Sequence, residues 1–441
     1  TSLDLAPREE YPVMASIWIA MNKTSSLPLI LGVAVLSATV LQAEQLRWPS
    51  WRGVADAGST AKGSYPAKLD EDHLVWQTEL PGRGCSTPIV WDDLIILTSA
   101  IEGEDAVLAF DWKGKKAWDA TLGKMRKGKH RNGSSSNPSA VTDGVHVFAY
   151  FKSGNLGALD MKGKILWKHN LQERYGRDTL YWDIGTSPVI TREHVVMAVM
   201  NDRKGFLVAF DKATGEEAWK VERTYETPVE GDHSYATPHV IEEDGRQVLV
   251  VWGAERVTTH EAATGKLISE CAGFNPQKRN NWVVVSSSVV VGDMVVVPYG
   301  RGKCLAGVKL GGKGEVTKSH RVWERLDNKG CFVPTPAVHD GKVYILGDRG
   351  QVHCLDPETG ETVWEAKLPR GAQSYYSSPT IADGKIYVGR EDGKLMVAEL
   401  NEGLKVLFER DFGKRIVASP VPVGDRILLR NDSHLMCFAN K

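Results

Sequence analysis

Six arginines recur at like places along the chain: Arg203, Arg256, Arg301, Arg349, Arg390 and Arg430. Each stands just beyond a short apolar run. A guanidinium is permanently charged and offers its donors as a planar fork. Several around one opening would form an electropositive funnel for a carboxylate, a phosphate or an acidic loop. The competing reading is local neutralisation, because Asp202, Glu255, Asp348, Glu391 and Asp432 are sequence neighbours that would pair with them. A second group precedes other apolar runs and comprises His130, Asn132, Trp182, Asp183, His233, Tyr235, Trp282 and Tyr375, with Arg83, Arg131 and Tyr376 nearby. Its aromatic rings would stack on a planar ligand or a sugar, fill a channel, or anchor a peptide. Its histidines and Asp183 are of the types that ligate metals or exchange protons. Their spacing matches no metal-ligand motif, and His194, His260 and His320 show that histidine is scattered. Ser134-Ser135-Ser136 and Ser286-Ser287-Ser288 read as small residues fitted to a narrow channel. Gly-x-Ser-x-Gly, His-Glu-x-x-His and phosphate-loop patterns do not occur.

The elements that must position these residues are repeated. Asp211-Lys212-Ala213-Thr214-Gly215-Glu216-Glu217-Ala218-Trp219 returns as Asp356-Pro357-Glu358-Thr359-Gly360-Glu361-Thr362-Val363-Trp364. Weaker copies run from Asp111 to Trp118, Asp160 to Trp167 and Glu261 to Ser269. A small residue followed by proline keeps pace at Thr87-Pro88, Asn137-Pro138, Ser187-Pro188, Thr237-Pro238, Thr335-Pro336, Ser378-Pro379 and Ser419-Pro420. A degenerate copy lies near Ser287-Ser288, with Val289 in the proline position. A period of roughly 40 to 50 residues marks a propeller or a comparable array.

The unit beginning at Ser378 shows the pattern. A short apolar strand meets an Asp383-Gly384 hairpin turn, and a β-branched and aromatic second strand follows. A third strand leads into the next turn, and a fourth closes the unit. Four antiparallel strands make one propeller blade. Proline suits the first residue of a strand, where its missing N–H does least harm. The tryptophans and Thr-Gly turns are therefore structural, placed for blades to pack face to face. The expected fold is all-β, an eight-bladed β-propeller. Its last unit holds three strands, and Leu74-Val75-Trp76-Gln77-Thr78 would supply the fourth, closing the ring without a free sheet edge.

The formal net charge of the chain is −1, with charges well mixed and no polybasic tail, which argues against a general nucleic-acid binder. Residues 1–20 read as an upstream extension. Residues 21–43 read as a secretory signal peptide, with a basic start, an apolar core from Leu27 to Leu41 and a cleavage site near Ala43. The core is too short for a membrane span, and no lipid-acceptor cysteine follows it. An N-terminal segment, 44–72, then precedes a single propeller over 73–441, and the protein is expected to be periplasmic or secreted. The six cysteines read as small apolar residues: Cys354 and Cys437, and approximately Cys304, occupy matching places in third strands.

The repeated phrase resembles that of the pyrroloquinoline-quinone-like (PQQ-like) β-propeller family across nearly all of residues 45–440. Trp48-Pro49-Ser50-Trp51-Arg52-Gly53, Gly311 to His320 and Ser433 to Phe438 resemble exported bacterial members, related to the propeller component of the outer-membrane β-barrel assembly machinery. The resemblance implies two kinds of function. Some members are cofactor-free scaffolds for protein partners; others are dehydrogenases that hold PQQ with Ca²⁺ and oxidise an alcohol or sugar. The dehydrogenases carry an adjacent Cys-Cys ring and large insertions, and this chain has neither. The expectation is a binding or scaffold protein for a protein, peptide or envelope ligand, or for a small anionic or planar molecule at the channel mouth. The alternative is a quinoprotein oxidoreductase.

Overall fold

The computed structural model describes residues 46–61, 63–201 and 203–441. The extension and signal peptide read in residues 1–43, and Asp202, lie outside them. The described chain forms eight antiparallel sheets arranged as propeller blades. Blade one is Ile89–Trp91, Leu94–Ile101, Glu104–Phe110 and Lys116–Lys124, running from the channel outward. Blade eight takes Val421–Val423, Arg426–Arg430 and His434–Ala439 from the C-terminal end of the chain. Its outer strand is Leu74–Glu79, antiparallel to His434–Ala439, so the ring closes as the sequence predicts. Among the described residues helix is confined to a turn or so at Leu171–Tyr175, Thr317–His320 and Val54–Asp56.

The repeated phrase works as a clamp between blades. The Trp167 indole N–H donates to Lys212 O of the next blade at 2.9 Å. Trp76, Trp118, Trp219 and Trp323 repeat the bond to Trp112, Met161, Ala262 and Pro357 carbonyls at 2.8–3.2 Å. Each ring lies flat against the glycine of the following turn. The second and third strands are almost wholly buried and carry the core between blades. Cys304, Cys354 and Cys437 sit among these buried third-strand residues, and all six cysteines are free thiols.

The N-terminal segment crosses the far end of the channel. Arg47–Trp48 pairs with the inner strand of blade one, and Ser59–Thr60 adds in parallel to the inner strand of blade seven. Between them Pro49 O accepts from Thr142 N, Ala57 O from Val338 N, and the Arg52 guanidinium donates to Pro336 O. These contacts tie blades one, two, six and seven together across the axis. The channel is thereby closed at the end where the first strands finish. It stays open where they begin.

Candidate functional site

The open end is a well of about 360 Å³, at the small end of the ~300–1,000 Å³ usual for ligand pockets. Its floor is Trp51, from the crossing segment. Its wall is a ring of hydroxyls, one from each blade: Thr87, Ser139, Ser187, Thr237, Ser287, Thr335, Ser378 and Ser419. The ring is built by a repeated bond. Thr87 N donates to Ser139 Oγ, Ser139 N to Ser187 Oγ, Ser187 N to Thr237 Oγ1 and Thr237 N to Ser287 Oγ, all at 2.9–3.0 Å. Ser287 N donates to Thr335 Oγ1, Thr335 N to Ser378 Oγ, and Ser419 N to Thr87 Oγ1, at 2.9–3.1 Å. Each blade's first strand would otherwise leave an amide unpaired at the narrowest part of the molecule. The neighbour's hydroxyl satisfies it, which is why a small hydroxyl residue recurs there.

This ring corrects two alignments read from the sequence. In blade two the matching residue is Ser139, with Ala140 in the proline position, not Asn137-Pro138. In blade five Ser287 is the hydroxyl and Ser288, rather than Val289, stands in the proline position. The position is selected for an acceptor oxygen, and proline only often follows it. Asn137 instead accepts from Ser134 N and Ser134 Oγ, turning the chain into the strand.

Above the ring, the predicted residues His130, Asn132, Trp182, Asp183, Tyr235 and Arg301 line the well together, with Tyr376, Phe332 and Cys85. Asp183 is a structural anchor here. It is buried against the equally buried Lys152 ammonium and accepts from Lys129 N and His130 N at 2.8–2.9 Å. That arrangement pins the 129–133 loop over one side of the mouth. His130 packs edge-on against Trp182, with ring centres 5.1 Å apart, and its Nδ1 accepts from Asn132 N. Asn132 reaches across the axis, donating to Glu391 and accepting from Arg415 at 3.0 Å. Tyr235 Oη accepts from Trp182 N at 2.9 Å, and burial pushes its phenol pKa up. Burial likewise holds the Cys85 thiol up at about 11, so it is protonated and unreactive at neutral pH.

The structure does not gather the six arginines. Arg301 alone reaches the well, lying over the Phe332 ring at 4.2 Å. Arg390 is buried in a bidentate pair with Asp392 and also donates to Pro369 O. Arg430 is buried behind the wall on Ser86 and Thr98 carbonyls, with its pKa lowered to about 10 by desolvation. Arg256 pairs with Glu270 at 3.0 Å and covers Tyr225, while Arg203 and Arg349 are exposed. Nor does local pairing take the form expected. Glu255 accepts from Asn275, Asp348 from Phe332 N and Val333 N, Glu391 from Asn132, and Asp432 from Arg415. Equivalent turn positions send their side chains in different directions, because each turn has its own conformation. Arg203 and Arg301 take left-handed φ of 63° and 57°, whereas Arg256, Arg349, Arg390 and Arg430 do not.

The remaining predicted residues lie outside the well. Tyr375 is fully buried with its hydroxyl on Pro369 O at 2.6 Å. Trp282 packs edge-on against Tyr299. His233 sits beneath Tyr181 with ring centres 6.3 Å apart. Sequence reasoning missed Trp51, Lys152 and the hydroxyl ring as site elements. The ring was signalled by the small-residue phrase itself, and the floor by the Trp48-to-Gly53 phrase.

Chemically, the well is nearly uncharged. Asp183 is neutralised by Lys152, and Arg301 stands at the rim. PQQ is a planar tricarboxylate quinone, which needs cations for its carboxylates and, with Ca²⁺, carboxylate oxygens for the metal. Among the described residues no group of three or more His, Cys, Asp or Glu side chains is placed to hold a metal. The donor set of this well does not fit that cofactor.

The blade pattern, the clamp and the blind axial well define a PQQ-like β-propeller. The chain belongs to the family described as outer membrane protein assembly factor BamB, which matches residues 67–204, 188–317 and 315–406. It is 24% identical over 227 residues to the outer membrane protein assembly factor BamB of Yersinia pestis, a match covering 48% of this chain and 53% of that protein. The match thus spans about half the length of that relative. The crystal structure of BamB from Moraxella catarrhalis superposes with a TM-score of 0.59 at 16% identity, over 83% of this chain and 99% of that one. A europium-containing methanol dehydrogenase superposes at 0.65 with 13% identity, over 89% of each chain. At these identities the superpositions establish the shared fold.

Proposed function

We propose that this protein is an exported binding or scaffold propeller of the bacterial envelope, which engages a protein, peptide or envelope ligand at the open mouth of its channel. The observation that carries this reading is the closure of one channel end by residues 46–60. It leaves a single mouth with an exposed aromatic lip, Tyr181 and Trp182, at 60% and 44% accessibility. Exposed large aromatic residues beside a concave site are typical anchors for a partner. Membership in a family described as an outer membrane protein assembly factor supports the same reading. No helix among the described residues is long and apolar enough to cross a membrane.

The second reading, a quinoprotein oxidoreductase acting on an alcohol or sugar, is favoured by the fold shared with the methanol dehydrogenase. The well's donor set argues against it. Two measurements separate the readings. The first titrates the protein with PQQ and Ca²⁺, followed by absorbance and melting temperature. The second places a photo-crosslinking residue at Trp182, or as a control at Leu267 on an outer strand, in the cell envelope. The scaffold reading expects an adduct from position 182 only, and no saturable PQQ binding. Saturable PQQ binding with a raised melting temperature, and no adduct from position 182, would overturn it.

A further inference from the structure

The well's own chemistry narrows its ligand, on the reading above that the open mouth is the binding face. We infer that the well takes a neutral, polyhydroxylated group: the terminal sugar of a glycan or oligosaccharide.

Every one of the eight oxygens of the hydroxyl ring is buried and borders the well. Seven are held in place by accepting an amide N–H from the adjacent blade. None of the eight donates a hydrogen bond to another described residue. Each hydroxyl proton is therefore free to point into the lumen, and each oxygen keeps a second lone pair. The wall thus offers fixed groups able to donate or accept at eight positions around the axis. A hydroxyl-bearing ligand has the matching property: each of its O–H groups also donates and accepts.

Charge then excludes the other small ligands. An anion would find one cation, Arg301, and that guanidinium sits at the rim over Phe332. A cation would find Asp183, whose oxygens are already committed to Lys152 and two backbone amides. Bringing a charged group to the ring would strip its water without supplying a counter-charge. A neutral polyol exchanges its water for hydroxyl partners instead.

Shape supplies the remaining element. The floor is the Trp51 indole, with the buried Arg52 guanidinium 5.5 Å from its ring centre. Trp182, Phe332 and Tyr376 line the entrance. A pyranose has apolar C–H faces and a polar rim. It is matched by an aromatic surface below and hydroxyls around the side. The narrow ring admits the end of a chain rather than its middle, so the expected epitope is a terminal residue.

The test is an array of neutral and acidic oligosaccharides, immobilised by their reducing ends and probed with the purified protein. Hits are titrated in solution by calorimetry and tryptophan fluorescence. The expected result is retention of glycans with neutral terminal residues, with one saturable site per chain. Trp51→Ala should weaken binding ten-fold or more, Trp51→Phe should restore most of it, and both variants should keep the wild-type circular dichroism. Should Trp51→Ala fail to fold, Thr237→Val serves instead, removing one hydroxyl at nearly constant shape. Retention of no glycan, preference for acidic termini, or binding indifferent to Trp51 and Thr237 would overturn the inference. If no glycan is bound but position 182 still crosslinks to a partner, the sugar inference falls and the scaffold reading stands. If a neutral sugar is bound and oxidised in the presence of PQQ, the scaffold reading falls and the sugar site stands.

Discussion

Two glycines with nearly the same backbone conformation separate the blade clamp from ordinary turn strain. Gly215 has φ +74° and Gly245 has φ +77°. A Cβ on Gly215 would stand 2.5 Å from Cδ2 of Trp167, whereas one on Gly245 would meet nothing within 4 Å. Alanine at either site adopts a left-handed conformation, at a cost of ~1–2 kcal/mol. The lost flexibility of the unfolded chain offsets ~0.4–1 kcal/mol of that. Gly245→Ala should therefore destabilise by about 1 kcal/mol or less. Gly215→Ala must in addition lift Trp167 off its seat. The indole bond to Lys212 O at 2.9 Å is lost, worth ~0.5–1.5 kcal/mol. So is the aromatic packing on Phe148, His169 and Phe210, worth ~0.5–1.5 kcal/mol per pair beyond area. Gly215→Ala should then cost about 3 kcal/mol. Urea titrations of both variants, compared at equal slope, measure the difference. In a Trp167→Ala background the Gly215→Ala effect should shrink to that of Gly245→Ala. Equal midpoint shifts for the two single variants would refute the clamp.

Asp105 supplies a pH dependence of opposite sign to the usual carboxylate. It is buried, its Oδ2 accepts from Asn155 and Ser153 of the next blade, its Oδ1 has no partner, and burial raises its pKa to about 6. The folded value exceeds the unfolded ~3.9. Its contribution is therefore complete below pH ~4 and is lost as pH rises through 6, by roughly 2–3 kcal/mol. Asp105→Asn should flatten the loss of melting temperature between pH 4.5 and 7.5; an unchanged slope would show that Asp105 is not its source. Deleting the chain through Glu79 removes the outer strand of blade eight and exposes the edge of His434–Ala439. Light scattering should then report oligomers or aggregates, and a monomer with wild-type melting would contradict closure by this strand.

The fold was legible because its instructions are local. Asp211 caps its own turn by accepting from Ala213 N and Thr214 N, and Gly215 sits where Trp167 needs a flat surface. Both facts live within one repeat and its neighbour, so the phrase spells them out. The closing strand was legible because the last unit lacks one. The site was legible only in part. His130, Asn132, Trp182, Asp183 and Tyr235 share a loop position and do converge, joined by Arg301 from the arginine series. The arginines share a position too, but a side chain leaving a turn is aimed by that turn's dihedrals and by whichever carboxylate or carbonyl lies within its reach. Arg256 finds Glu270 and Asp432 finds Arg415, and neither pairing can be read from adjacency. The ring was hidden for a different reason. Its oxygens are chosen for the amide they accept, so a search keyed to proline misplaced it by two residues in blade two.

One stretch, residues 46–79, couples stability to the site. Its last part closes the ring as the outer strand of blade eight. Its first part crosses the axis, where Arg52 is buried with its pKa lowered to about 9 and bonded to Pro336 O of blade six. Burying a guanidinium on a single carbonyl is costly, and two of its nitrogens have no partner. Such a residue is retained only where the surrounding contacts over-determine it. Here those contacts are Trp48 in the core between blades one and eight, and the strand pairings on blades one and seven. What the crossing accomplishes is a floor. A propeller channel without it is a tube open to water at both ends, in which an entering group keeps much of its hydration. With Trp51 in place the same hydroxyl ring faces a closed, low-dielectric end, where any bond it made to a ligand would be stronger. The segment that completes the fold also turns an open channel into a blind well.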